Sequence, residues 1–463
     1  MRQIILLFLT ILSFSSSAQN VKISGNAPTY YGKNIIVYKY KDFISKEKQI
    51  LANPSVDNTG DFTFNYNTKK TELIFIDTGF FILSLYVYPN QNENISIPEY
   101  QEKPARDIYF KPIELATRVN TDNKNELNNL IRDFNHDLSI LNDKYFDAIY
   151  NKNKSVIDKI KKELDSKYSS KNKYFNTYKK YAIGICEFPI YAENIKPFIK
   201  KYFSGKTIYN DQFFELFNKT FSNYLSYEEY KKTPNLNAHK IYNIQASKLR
   251  KEGISNNNLI DLIILKSLKD GAFNPVLKKE LYINTVRYIR KKSQIQQTKT
   301  IASNIIENVT YLSKGYACPE IIGKDHAGRL VNTHKQKGKY LYYMFHEKST
   351  LIIEEDLKVV ARVADRKDYL KVLIICDEKN KERNIKELKK YKLDDNAVFC
   401  TNYKALKEKF KVIVTPSYFL VDKKGNIIQS HTIRPRTNLF KNLNNIDIKE
   451  LRNGHNKKSK YFN

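Results

Sequence analysis

Residues 412–428 read VIVTPSYFLVDKKGNII. The dipeptide Thr415-Pro416 leads into an apolar run, SYFLVD. Lys423, Lys424 and Gly425 follow as a tight turn, and a second β-rich run, NIIQSHTI, comes after it. Two such runs around a short glycine-containing turn predict an antiparallel hairpin. Upstream, strand and helix alternate. YLYYMF (340–345) is a fully apolar strand, and a helix is expected over 350–364. KVLIICDE (371–378) is a second strand, followed by a charged helix over 379–391. NAVFC (396–400) and NYKALKEKF (402–410) repeat the pattern. Parallel βαβ units that end in an antiparallel hairpin give a mixed α/β sheet, which places an α/β domain at 311–445.

The rest of the chain has other periods. Between 20 and 115, short runs such as NIIVYKYK, DFTFNYN and FILSLYVYPN are rich in β-branched and aromatic residues. Turn signals at Asn58-Thr59-Gly60 and Pro89-Asn90 separate them. In DFTFNYN, Phe62, Phe64 and Tyr66 alternate onto one face. About seven strands in a sandwich or small barrel are expected over 19–115. From 116 to 310 the spacing is helical. Leu127, Leu130, Ile131, Phe134, Leu138 and Leu141 recur on one face, and similar stretches cover 154–183, 209–230, 237–252, 256–270, 275–292 and 294–313. No fixed repeat and no sustained heptad is visible, so an irregular bundle is expected. The fold class is therefore multidomain, with an all-β sandwich, a helical segment and an α/β domain in that order. A basic tail occupies 446–463. With 463 residues the chain is too long for one core.

The first twenty residues, MRQIILLFLTILSFSSSAQN, carry one basic residue, an apolar run and then small residues ending at Ala18. That pattern predicts a secretory signal peptide over 1–18, cleaved after Ala18, and a periplasmic or secreted protein. No later stretch is apolar and long enough to span a bilayer, so no transmembrane segment is expected after cleavage. The formal net charge is +30. Lysine is spread over the whole chain together with Asn, Ile and Tyr, as an AT-rich coding bias produces. It reads as solvated helix faces, and no nucleic-acid partner is expected. Four cysteines remain, Cys186, Cys318, Cys376 and Cys400, with no CxxC spacing.

The segment ACPEIIGKDHAGRLVNTHKQKGKYLYYMF, with Pro319, Asp325, Gly328, Gly338 and Lys339, and the later Thr415-Pro416, Asp422 and Gly425 together resemble the thioredoxin superfamily. The likeness is to its secreted thiol–disulfide oxidoreductases and the related peroxidase-like branch, and it covers about 130 residues. The wider layout is similar to secreted thioredoxin-like proteins of Bacteroidota, which carry an N-terminal β domain and a helical middle segment. The resemblance implies a cis peptide before Pro416. It also implies a cysteine pair at the turn after YLYYMF, near Thr350 and Ile353. Neither residue is a cysteine, and none occurs between Cys318 and Cys376.

Oxygen cannot replace sulfur there. A thiol starts near pKa 8.5 and a helix N-terminus brings it toward neutrality, whereas an alcohol starts far higher and cannot form a disulfide. Ser349 and Thr350 are expected to cap the following helix, with Glu354 or Glu355 in its first turn. His346, Glu347 and Ser349 sit too close in sequence for a nucleophile–base–orienter arrangement, and no G-x-S-x-G elbow exists. The spacing of His326, His334 and His346 fits no tight metal motif. These histidines are expected at the surface, with no metal, no cofactor and no catalytic residue assigned.

What the resemblance leaves is peptide recognition. In the family, the residue before the cis-proline pairs its backbone with an extended peptide. Thr415, Pro416, Ser349 and Thr350 are thus candidate binding residues, and an unidentified envelope protein or peptide is the expected partner. The alternative is a divergent oxidoreductase that uses Cys376 or Cys400. Both close apolar runs, so both are expected at the C-terminal ends of parallel strands.

Overall fold

The structure is a computed structural model of the chain. It describes residues 20–33, 35–102, 111–226, 230, 235–271, 278–336, 338–347, 351–365, 369–412, 415–432 and 435. The expected signal peptide (1–18) and the basic tail (446–463) lie outside these residues, as do Ser349 and Thr350. The chain divides into two compact units, Met1–Asn308 and Val309–Asn463.

The first unit begins with strands β1 (Asn20–Asn26), β2 (Ile36–Tyr40), β3 (Lys48–Ala52), β4 (Asp61–Asn67), β5 (Glu72–Asp77), β6 (Phe81–Val87), β7 (Asn92–Ser96), β8 (Ile113–Ala116) and β9 (Arg118–Val119). They form two sheets, ordered β4-β1-β7-β9 and β3-β2-β5-β6-β8. Side chains of both meet in one apolar cluster. Val21, Ile23, Phe62 and Phe64 come from one sheet, and Val37, Ile74, Ile76 and Leu85 from the other. The alternation read in DFTFNYN puts Phe62 and Phe64 inside. β3 and β8 escape a sequence reading for a physical reason. Each lies at an edge and is largely exposed, so no buried face imposes alternation on it.

Ten α-helices follow among the described residues: α1 (Leu127–Lys144), α2 (Phe146–Tyr150), α3 (Ser155–Lys167), α4 (Lys173–Glu187), α5 (Lys196–Phe203), α6 (Asp211–Thr220), α7 (Ala238–Lys251), α8 (Asn257–Asp270), α9 (Lys279–Lys292) and α10 (Gln296–Thr310). α1 buries Leu127, Ile131, Phe134, Leu138 and Leu141, at the spacing expected of it. The stretch 154–183 is two helices and not one. The Tyr168 N–H closes α3 on the Leu164 carbonyl at 2.8 Å. The Asn172 side chain then caps α4, accepting from the Tyr174 and Phe175 N–H groups at 2.9 and 3.2 Å. α8 is buried without a break from Leu259 to Leu268, as a helix apolar on nearly all sides must be. No helix among the described residues is long and apolar enough to cross a membrane.

The second unit holds β10 (Ile322–Lys324), β11 (Leu330–Asn332), β12 (Tyr340–Phe345), α11 (Leu351–Ala364), β13 (Leu370–Asp377), α12 (Lys381–Lys389), β14 (Ala397–Cys400), α13 (Tyr403–Lys409), β15 (Ser417–Val421) and β16 (Ile427–Thr432). Its sheet runs β11-β10-β14-β13-β12-β15-β16. β12, β13 and β14 are parallel, and β15 and β16 join antiparallel, giving the mixed sheet expected from the alternating pattern. All six residues of β12 are buried because both faces of the sheet are covered. Tyr342 and Met344 pack with Leu357 and Val360 of α11 and Leu388 of α12. Tyr343 and Phe345 pack with Tyr403 and Leu406 of α13. The turn at residues 422–426 is held by Asp422, whose Oδ1 accepts from the Lys424 and Asn426 N–H groups at 2.8 Å. Gly425 there has φ +88°, a backbone state that favours glycine.

Candidate functional site

Parallel strands deliver their C-terminal ends to one edge of the sheet, where open α/β sheets hold ligands. β12 ends at Phe345, and the next two residues begin the site. The His346 N–H still reaches the Ile375 carbonyl at 3.0 Å, so the backbone ladder continues one residue past the strand. That continuation explains a correction. His346 was expected at the surface, and it is fully buried. Strand alternation sends its side chain to the face of Met344, where Glu387 Oε1 of α12 lies 3.5 Å from Nε2. Neither ring nitrogen has a hydrogen-bond partner among the described residues. Burial, reinforced by the Arg383 cation and opposed by Glu347, pushes the imidazole down to about 4, so it is neutral near pH 7. His326 and His334 are part-exposed and lie nearest other carboxylates, Asp395 at 3.3 Å and Glu320 at 3.9 Å.

Glu347 ties three elements together. Its carbonyl accepts from Arg383 of α12 at 2.7 Å. Its carboxylate accepts from Lys407 of α13 at 2.7 Å and from the Thr415 hydroxyl at 3.1 Å. Tyr403, one turn before Lys407, donates to the His346 carbonyl at 3.1 Å. Thr415 and Pro416 are half-buried, and the peptide between them is cis, as the resemblance implies. The Thr415 backbone makes no backbone hydrogen bond among the described residues. The structure thus joins Thr415 to the end of β12. Ser349 and Thr350 lie outside the described residues, and Ile353 is buried on α11.

Cys376 and Cys400 do close neighbouring parallel strands, as the apolar runs suggested. Both are free thiols. The register pairs Cys376 with Phe399 and Cys400 with Asp377, an offset of one residue. One residue in a strand reverses the face. Cys376 therefore packs with Ile374 and Leu388, and Cys400 with Ile375 and Phe410 on the opposite side. Burial pushes the Cys376 thiol far up and those of Cys400 and Cys318 up to about 12. Cys186, half-buried on α4, is pushed up to about 11 by the same cause. A thiol so placed supplies little thiolate at neutral pH.

The sequence reading missed Arg383, Glu387, Tyr403 and Lys407. All four lie on helices whose charge reads as solvation. The signal available was spacing: Arg383 with Glu387, and Tyr403 with Lys407, are i, i+4 pairs, each on one helix face.

No family model matches the chain, and no curated protein matches it. Among solved structures, the chain is similar to the thioredoxin domain of a thiol-disulfide oxidoreductase from Bacteroides vulgatus. Identity is 22%, covering 26% of this chain and 89% of that one, with a TM-score of 0.23. A thiol:disulfide interchange protein from a Bacteroides species is 21% identical over 27% of this chain and 86% of that one, with a TM-score of 0.24. A thioredoxin-like protein from Bacteroides caccae is 14% identical over 42% and 74%, with a TM-score of 0.28.

Proposed function

We propose that the chain is a periplasmic or secreted thioredoxin-like protein, released by cleavage after Ala18. In this reading an N-terminal β-sandwich and a helical segment precede a thioredoxin-like domain that does no redox chemistry and binds an extended peptide or an envelope protein. The observation that carries the reading is Thr415. It stands before a cis peptide at the C-terminal edge of the parallel strands, with its hydroxyl held by Glu347 and its backbone making no backbone hydrogen bond among the described residues. Backbone groups so placed can pair with an incoming strand without any cysteine. The oxidoreductase alternative finds no support in Cys376 and Cys400, which are buried free thiols turned to opposite faces.

The test uses the full secreted chain. Peptides enriched on it from a random display library are added back, and amide hydrogen exchange is followed by mass spectrometry. Slowed exchange in the fragment containing Thr415 supports the reading. Failure to enrich any peptide, or protection confined to other fragments, defeats it. In parallel, the chain should leave the rate of insulin reduction by dithiothreitol unchanged. A rate above the control that disappears in Cys376→Ser or Cys400→Ser would restore the alternative.

A further inference from the structure

A large cavity lies wholly within the first unit and is lined by none of the residues of the Thr415 site. It is a cleft of about 790 Å³. The β2–β3 hairpin and the start of β5 form one wall. The N-terminal turn of α4, the residues leading into α6 and the first turns of α10 form the other. Its volume lies within the range of about 300–1,000 Å³ typical of small-molecule sites.

The surface inside is more apolar than polar, and Tyr40, Phe43, Tyr174, Tyr209 and Phe214 are among the residues that line it. Phe43 and Phe214 stack across the two walls, with ring centroids 6.2 Å apart. Ile208 stands at the same lining with 38% of its surface exposed. An apolar body would find contact on several sides here.

The charges in the cleft divide unequally. Its carboxylates are already engaged by the protein. Asp42 accepts from the Ile44 and Ser45 N–H groups at 2.8 and 2.6 Å and from the Asn304 amide at 2.7 Å. Glu72 accepts from the Tyr66 hydroxyl at 2.5 Å and from Lys39 at 3.1 Å. Asp211 accepts from Tyr86 at 2.9 Å and from Tyr174. The cations are engaged only in part. Lys39 is held by Glu72, and Lys41 reaches Glu47 and Glu307 only at 3.7 and 3.9 Å. Lys70 and Lys173 are exposed, and neither ammonium group has a hydrogen bond or ion pair among the described residues, although the Lys70 charge helps to lower the Glu72 carboxyl.

We propose that this cleft binds an organic anion: an aromatic or aliphatic body seated on the Tyr40, Phe43 and Ile208 surface, with Phe214 buried behind Phe43, and an acidic group met by Lys70 and Lys173. The unmatched charge of the cleft is positive, so complementarity selects an anion. A neutral sugar leaves both ammonium groups without a partner, and an organic cation is repelled. The burial of Asp211 raises its carboxyl above the ordinary range, with the two tyrosine hydroxyls opposing. It is therefore poorly suited to hold a cationic ligand.

The probes are 8-anilinonaphthalene-1-sulfonate and N-phenyl-1-naphthylamine, which share an aryl skeleton and differ by the sulfonate. The full chain should bind one equivalent of the sulfonate, more weakly as salt is added. Lys70→Ala with Lys173→Ala should weaken the sulfonate by about fivefold or more, since two part-exposed charge contacts are lost. The neutral amine should change by less than about twofold. Lys70→Glu with Lys173→Glu should weaken the sulfonate further. Thr177→Trp, on the α4 wall, should block both probes. Equal affinity for the two probes, a lysine double variant that binds the sulfonate like the parent, or a Thr177→Trp chain that still binds it would overturn the proposal. So would a neutral oligosaccharide such as maltohexaose that saturates the cleft while the sulfonate does not.

Discussion

The Thr415 hydroxyl donates to the Glu347 carboxylate over 3.1 Å, joining the residue before the cis peptide to the residue two places beyond β12. The link spans 68 residues of sequence. It brings together two segments at the C-terminal edge of the parallel strands. Lys407 balances the carboxylate at 2.7 Å, so the pair is held from α13 as well.

Thr415→Val keeps the β-branched shape and removes the hydroxyl. Because the Glu347 side chain is 42% exposed, the loss should be only about 1 kcal/mol in denaturant unfolding. Glu347→Ala should cost somewhat more, since Lys407 also loses its partner. In a double-mutant cycle the two changes should couple by about 0.5–1 kcal/mol. Strict additivity would show that the contact carries no energy.

The sheet of the second unit was legible because burial on both faces leaves β12, β13 and β14 as plain apolar runs. The order of strand and helix then follows from chain connectivity. The edge strands β3, β8 and β11 were not legible, since an exposed strand has no pattern to impose. His346 misled for a related reason. A polar residue just after an apolar run reads as the start of a turn, yet one more backbone hydrogen bond keeps it in the strand and buries it. Thr415 and Pro416 were singled out from the motif, and the cis peptide between them is present, but the side chains around Thr415 were not legible. Glu347, Arg383 and Lys407 are brought together by the tertiary fold, over separations that local sequence does not report.

Gly323 on β10 is packed where no side chain fits. A Cβ there would lie 2.6 Å from the Phe399 carbonyl oxygen and 2.8 Å from Cys400 Sγ. Backbone cannot yield as a flexible side chain can, so Gly323→Ala should cost about 2 kcal/mol or more. Gly205, with open space around it and no positive φ, is the control: Gly205→Ala should stay within about 0.5 kcal/mol of the parent. Equal melting of the two variants would contradict the close approach of β10 to β14.

The cysteines should show an order of reactivity. Cys186 is half-buried and has the lowest of the raised thiol pKa values, about 11, so dithionitrobenzoate should reach it first. Cys318, Cys376 and Cys400 should react only as the chain unfolds. Intact mass under non-reducing conditions should match four free thiols. Cys376→Ser should be less stable than the parent by about 1 kcal/mol or more, because a hydroxyl costs more than a thiol to bury in that largely apolar cluster. Rapid labelling of Cys376 in the folded chain would refute its burial.

His346 should make stability fall as the medium is acidified. Its ordinary pKa is 6.5, and in the folded chain it is about 4. The unfolded chain therefore binds a proton across that window while the folded chain does not. Stability is full above about pH 6.5, declines as pH drops, and levels off near the folded pKa. A displacement of that size corresponds to roughly 3 kcal/mol. The groups around the ring modify the slope without reversing its sign. Arg383 adds to the depression and Glu347 opposes it. Glu387, at 3.5 Å, is raised by burial, so it takes up a proton in the folded state and offsets part of the loss. The measurement is the denaturant midpoint of the parent and of His346→Phe between about pH 7 and about pH 4.5. Phenylalanine fills similar space and removes both unpartnered nitrogens. The six other histidines contribute equally to both chains and cancel in the difference. The variant should be the less pH-sensitive of the two, with the gap widening as pH falls. Parallel curves would mean that His346 is not held neutral in the folded protein.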